Sequence, residues 1–306
     1  VKISISRDGG RYPVGYEYEY EGKRSLVQPK LAMINLFEEP EELRSFAREQ
    51  GFHGVEWSFR LDGIPETPAA QSAWVRRIHN LQPLEVRFHC PFYRIDLGHD
   101  DPERAAGAAV IFRRIVRLVS KAGGGVLSIH IGLGRDSTEP LSWEATVSSL
   151  RDLVQFGARN RVRVSLENLA WGWTSRPNLF EKLVRMSGAG VTLDIGHALV
   201  CESVQSGQYA VEDFVTPHPE KITGAHVYHE EVEGRGHTPP GHCRDIASRL
   251  RMLLETGCDW WTLELHDPER LRQTRDVVLR CLDELRQEGS EGNENRRARS
   301  RETGAS

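Results

Sequence analysis

Six side chains of metal-ligand type recur along this 306-residue chain, each closing a short run of β-forming residues: His89, His130, Glu167, Asp194, His226 and Glu264. The clearest run is Val191-Thr-Leu-Asp-Ile-Gly-His197. Strand alternation puts Thr192 and Asp194 on one face there, and Val191, Leu193 and Ile195 on the other. Counting back two from each of the six gives its same-face neighbour: Arg87, Ser128, Ser165, Thr192, Gly224 and Thr262. Five of these are small, so the layer beneath leaves room for the six groups to converge. The residues between, such as Phe88, Ile129, Leu166 and Leu263, are apolar and suit a face covered by helices. One histidine at a strand end is ordinary hydrogen-bonded structure. Six consecutive strands ending in carboxylate or imidazole are not. Holding three carboxylates together without a cation costs several kcal/mol in repulsion and desolvation, so the set predicts a bound divalent metal. Mixed nitrogen and oxygen donors suit zinc, manganese, iron or cobalt better than calcium, with magnesium also open. The lack of nearby thiolate pairs argues against a purely structural zinc.

Groups so far apart in the chain converge only if the strands carrying them lie side by side. Strand patterns at 31–35, 54–57, 85–89, 125–130, 162–167, 191–194, 222–226 and 260–264 each precede a helical pattern. The helices are expected from 39, and at 69–79, 102–121, 142–156, 178–186, 211–214, 243–254 and 268–286. Gly51, Gly188 and Gly257 fall just past helix ends, where left-handed caps belong. Eight alternating units predict an α/β fold, a closed (β/α)8 TIM barrel, with its chemistry at the carboxyl ends of the strands. An open doubly wound sheet would want a glycine-rich loop after its first strand, and Asn35-Leu-Phe-Glu-Glu-Pro40 is not one.

The barrel is expected over 30–288. Before it, Lys2-Ile-Ser-Ile-Ser6 and Gly15-Tyr-Glu-Tyr-Glu-Tyr20 alternate at period two and predict a β-hairpin extension over 1–29. After it, 289–306 lacks large apolar residues and is expected to be a disordered tail. A net charge of −4 argues against nucleic acid as a partner, although Arg296-Arg-Ala-Arg-Ser-Arg301 leaves a local contact open. No apolar run nears the ~20 residues of a membrane span, and none reads as a signal peptide. Cys90, Cys201, Cys243, Cys258 and Cys281 show no disulfide-framework spacing, which points to a reduced, cytoplasmic setting.

Phe88-His-Cys-Pro-Phe92, Ser128-Ile-His-Ile-Gly132, Ser165-Leu-Glu-Asn168, Leu193-Asp-Ile-Gly-His197, Ala225-His226, His237-Thr-Pro-Pro-Gly241 and Leu263-Glu264 together resemble one group of proteins. It is the xylose isomerase-like TIM-barrel superfamily, which spans sugar-phosphate isomerases and epimerases and the endonuclease IV type of abasic-site nuclease. The resemblance covers about residues 30–287. It implies that Glu167, Asp194, His226 and Glu264 ligate a metal, as in the isomerase and epimerase members. In nuclease members His89 and His130 hold a further metal bridged by Glu167. His197 and His237 share a third there with an acid two before the second histidine, where this chain has Arg235. A guanidinium repels a cation. His229 stands where relatives carry an acid, and no role follows for it.

The first expectation is isomerisation or epimerisation of a small carbohydrate or related hydroxy-carbonyl compound. Glu167 and Glu264 would move a proton at the carbon beside the carbonyl. His197, His237 and Arg235 would hold substrate oxygens, and Trp171 and Trp173 would stack on a sugar face. Glu56, at the end of the second strand, would touch substrate or form a structural ion pair. The alternative is metal-assisted phosphodiester hydrolysis at abasic DNA, favoured by His89 and His130 and opposed by the acidic balance and Arg235. A non-catalytic sugar-binding barrel is the third reading. Homo-oligomerisation is left open.

Overall fold

The computed structural model describes residues 28–303, so all but Gln28 and Pro29 of the extension expected at 1–29 lies outside the described residues. Eight parallel strands close into a barrel: β1 (Lys30–Ile34), β2 (Gly54–Ser58), β3 (Glu85–His89), β4 (Gly125–Ile129), β5 (Val162–Glu167), β6 (Gly190–Asp194), β7 (Ile222–Val227) and β10 (Trp260–Leu263). Closure is between β1 and β10, with Leu31 opposite Trp261 and Ala32 opposite Thr262. The remaining strands, β8 (Glu230–Val232) and β9 (Gly236–Thr238), form an antiparallel hairpin beyond the end of β7. This architecture is the one the eight-unit pattern predicts.

Helices α1 (Pro40–Glu49), α2 (Pro68–His79), α3 (Pro102–Lys121), α4 (Trp143–Arg159) and α5 (Pro177–Ser187) follow the first five strands. Four of them begin on proline, whose fixed φ suits the first turn and whose missing N–H goes unmissed there. The side chains of Thr67, Asp101 and Ser142 accept N–H groups of the first turns of α2, α3 and α4. Gly188 and Gly257 close α5 and the later α8 (Ala247–Thr256) in the left-handed conformation.

The barrel interior explains the small-residue layer. Ser128 and Thr192 hydrogen-bond across it at 2.8 Å, and Ser165 meets Thr223 at 2.7 Å. Arg87, the one large member, lies over the Trp260 ring at 4.3 Å and donates to the Thr223 carbonyl. Glycine at 224 makes that room, because a Cβ there would stand 3.2 Å from Trp260 and 3.5 Å from Arg87. These contacts plug the floor, and the strand-end groups stand above it.

Three features depart from the sequence reading. After β6 come α6 (Ile195–Val200) and α7 (Glu202–Gln205), and residues 211–214 form only a 3₁₀ turn. The closing helix α9 runs Pro268–Thr303, beyond the 286 expected for its end. Cys243 and Cys281 form a disulfide, against the expectation of reduced cysteines throughout; the 3₁₀ turn ahead of α8 meets α9 and joins positions 38 apart in sequence. Among the described residues no helix is long and apolar enough to cross a membrane.

Candidate metal centre

Glu167 and Asp194 are the last residues of β5 and β6, His226 lies near the end of β7, and Glu264 follows β10. One donor atom from each lies within 4.8 Å of all the others. The nitrogen Nδ1 of His226 is 3.2 Å from Glu167 Oε1, 3.1 Å from Glu264 Oε2 and 3.7 Å from Asp194 Oδ2. One ring nitrogen cannot satisfy three carboxylates, and Glu264 Oε2, though near, is out of line and has no hydrogen-bond partner among the described residues. The opposite nitrogen, Nε2, lies 2.9 Å from Glu56 Oε1, whose other oxygen accepts from Thr262 at 2.8 Å. A carboxylate behind the imidazole holds a proton on Nε2, so that Nδ1, once it gives up its own proton, offers a lone pair among three acids. That donor set fits a divalent cation.

Each ligand candidate is fixed from behind. Asp194 Oδ1 accepts the His197 N–H at 2.6 Å, and its Oδ2 accepts from Tyr228 at 3.0 Å. Asn168 clips β5 to β6, exchanging two 2.8 Å bonds with the Asp194 backbone. Glu167 Oε2 lies 2.9 Å from His89 Nε2 and 3.2 Å from His130 Nε2. His89 Nδ1 contacts the Cys90 carbonyl at 2.8 Å, and His130 Nδ1 lies 3.7 Å from the Cys90 sulfur. Glu167 thus joins a mixed carboxylate–imidazole cluster to a pair of histidines.

The electrostatics follow from that crowding. Burial works against charge on His226, but Glu167, Glu264 and Glu56 overcome it and hold its pKa well above the usual range. Burial is likewise outweighed at His89, chiefly by Glu167, and at His197, chiefly by Asp194; both reach about 9. Burial opposes ionisation of Glu167 and Glu264, yet His226 and its neighbours keep both carboxyls below the ordinary carboxylate range. His130 is pushed down by burial. With no cation in place, protons on imidazoles carry the compensating charge.

The other predicted residues divide. His197 Nδ1 is 3.2 Å from Asp194 Oδ2, and its Nε2 is 3.1 Å from Glu231 Oε2. His237 Nδ1 donates to the Glu264 carbonyl at 2.8 Å, and its ring stacks on Tyr228 at 3.8 Å. Trp171 sits 5.9 Å from the His197 ring, whereas Trp173 packs on Trp143 at 5.2 Å. Both tryptophans line a cavity of about 1100 Å³ beside the cluster. Glu56 is 3% exposed with both oxygens engaged, so it stands behind His226 rather than in the mouth. Arg235 is not brought to the cluster, since it is exposed at the turn between β8 and β9. His229 meets Arg249 at 3.4 Å, and Arg249 also binds the carbonyls of Ile195 and His229, tying the hairpin's root to α6.

Sequence reasoning missed Asn168, Tyr228 and Glu231. Tyr228 had a signal, because it follows His226 by two and continues its alternation one residue past the end of β7. Glu231 had a weaker one: Gly234 and Gly236, both at positive φ, mark a tight turn that folds its strand back over the mouth.

Comparison with solved structures places this backbone among carbohydrate enzymes of low sequence identity. An L-ribulose 3-epimerase superposes with a TM-score of 0.66 at 15% identity, covering 86% of this chain and 97% of that one. A D-tagatose 3-epimerase-like protein gives 0.64 at 15% identity, covering 85% and 99%. A 3-keto-D-glucoside 4-epimerase from E. coli gives 0.60 at 16%, covering 84% and 100%. At such identities the likeness is one of fold. The uncharacterized protein MJ0008 of Methanocaldococcus jannaschii is 22% identical over 201 residues, 66% of this chain and 82% of that protein. The family model for the xylose isomerase-like TIM barrel matches residues 45–284, which takes in all six strand-end groups and all but the first strand of the cylinder. By that match the chain belongs to the xylose isomerase-like TIM barrel family.

Proposed function

We propose that the protein is a divalent-metal-dependent isomerase or epimerase acting on a small sugar or related hydroxy-carbonyl compound. The observation that carries this reading is three carboxylates converging on one imidazole nitrogen at the carboxyl ends of the barrel strands. Glu167, Asp194, His226 and Glu264 would hold the cation, which supplies Lewis-acid polarisation of a carbonyl and its neighbouring hydroxyl. The names of the epimerases that share this backbone support the substrate class.

The chain's own residues supply the proton traffic. Glu264 has the most exposed side chain of the three acids, 15% against 2% for Glu167 and none for Asp194, and one of its oxygens is unpartnered. It is the carboxylate free to take a proton from the carbon beside the carbonyl. Glu167, held by His89, His130 and His226, is the fixed acid–base partner that returns it. His197 and Trp171 form the wall against which the substrate is oriented. Incubation with L-ribulose, D-tagatose or D-fructose in deuterium oxide tests the reading: deuterium should enter at the carbon next to the carbonyl. No exchange into any hydroxy-carbonyl sugar tried with metal-loaded protein would sink it.

Two smaller effects follow. Glu56→Gln removes the charge behind His226 and should weaken metal binding by about 10- to 100-fold, measured by competition with a chromophoric chelator. Trp171→Ala should raise KM by about two- to tenfold with kcat little changed, the range expected for one lost ring contact. A kcat loss without a KM change would assign Trp171 elsewhere.

A second reading has its own observation. His89 and His130 share one oxygen of Glu167, an arrangement suited to a further cation bridged by that carboxylate, as hydrolysis of a phosphodiester would need. Elemental analysis separates the two: one metal atom per chain favours isomerisation, and two or three favour hydrolysis.

A further inference from the structure

Trp171 and Glu231 both line the cavity beside the cluster and both contact His197, so the imidazole stands between cavity and cluster. None of Glu167, Asp194, His226 or Glu264 lines the cavity. At about 1100 Å³ it slightly exceeds the ~300–1,000 Å³ usual for small-molecule pockets. Its walls come from the loops after β4 and β5, from α6 and α7, and from the β8–β9 hairpin.

Its chemistry is specific. Three aromatic side chains, Trp171, Trp173 and Tyr209, line it, with neutral hydrogen-bonding groups such as Asn178 and Gln208 among them. Where the cavity meets the cluster, Glu231 Oε2 faces His197 Nε2 at 3.1 Å, and the buried indole N–H of Trp171 has no partner among the described residues. The charges do not suit an anion. Arg135 is paired with Glu233 at 3.3 Å and Glu231 with His197 at 3.1 Å, which leaves Arg176 against Glu202.

We infer that this cavity is a subsite for a second, uncharged sugar unit, so that the preferred substrate is a glycosylated ketose rather than a bare monosaccharide. The inference rests on the proposed carbohydrate chemistry of the adjoining cluster. Ring faces suit the apolar faces of a pyranose, and neutral amides suit its hydroxyls without demanding charge.

The experiment is a tryptophan-fluorescence titration of the metal-loaded protein with D-fructose, D-fructose 6-phosphate, isomaltulose, turanose and lactulose. The last three present fructose bearing a glycosyl unit at different positions. At least one should bind tenfold or more tightly than D-fructose. Tyr209→Ala and Asn178→Ala should erase that margin while leaving D-fructose binding unchanged. Equal affinity for bare and glycosylated ketoses overturns the subsite. So does a margin that survives both substitutions, and so does tightest binding of the phosphate, which would assign the cavity to an anion. Solvent hydrogen exchange, run on the same sugars, keeps the two proposals apart. Tight disaccharide binding without exchange retains the subsite and removes the epimerase reading, whereas exchange without any disaccharide margin does the reverse.

Discussion

Glu264→Gln should abolish turnover, lowering kcat by about 10³-fold or more, while the barrel stays folded. General acid–base groups contribute roughly 10²–10⁴ in rate, and an amide can neither take nor return the proton. Glutamine matches the shape of glutamate, and the side chain sits past the end of β10, above the packed interior. His226 and His237 hold the Glu264 carboxyl ionised, so its loss should lower the melting temperature of the metal-free protein modestly without unfolding the barrel. Circular dichroism and thermal melting check the fold, metal analysis checks occupancy, and deuterium exchange checks the chemistry. Unchanged exchange in a loaded, folded variant would remove Glu264 from the mechanism. A variant that has lost its metal would show instead that ligation is the larger role, and Glu264→Asp would then part the two by restoring charge at a shorter reach.

Stripping the metal should abolish activity, and manganese, cobalt or zinc should restore it with protons released on binding. The metal-free cluster keeps His226 protonated, and a protonated nitrogen cannot ligate, so cation and proton compete for one lone pair. Affinity should therefore climb as pH rises. Stability of the stripped protein should run the opposite way. His89 and His197 have folded pKa values of about 9, above the unfolded value near ~6.5. The stability they contribute is fully present below that unfolded value and is lost as pH rises through about 9. Glu167 and Glu264 are depressed, so their contribution is present above the unfolded carboxylate pKa and fails only on acidification. The stripped protein should thus be most stable between the two ranges, and the loaded protein should hold its melting temperature into alkali. Melting curves from pH 5 to 10 with and without chelator test both signs. Coincident curves would mean that no cation binds at this cluster.

The chain's periodicity carried the barrel because each strand–helix unit encodes itself locally. Alternation, proline at the first helical turn and glycine past the last are all read within a dozen residues. The strand-end groups were legible for the same reason: their position in the two-residue repeat decides which face they share. Between β7 and β10 the reading failed, since β8 and β9 are three residues each and too short to show a period. Glu231 and Tyr228 were missed with them, as was the exposed position of Arg235.

What the linear order determined was the cylinder and the ring of acids and imidazoles at its rim, because both follow from local period and strand end. What only the tertiary structure decided was the partnership of those groups. Glu56 backs His226 across 170 positions, Asn168 clips two strand ends together, and a hairpin carries Glu231 to His197 beside the large cavity. Such contacts depend on closure and register, which join distant segments and leave no periodic mark in any one of them.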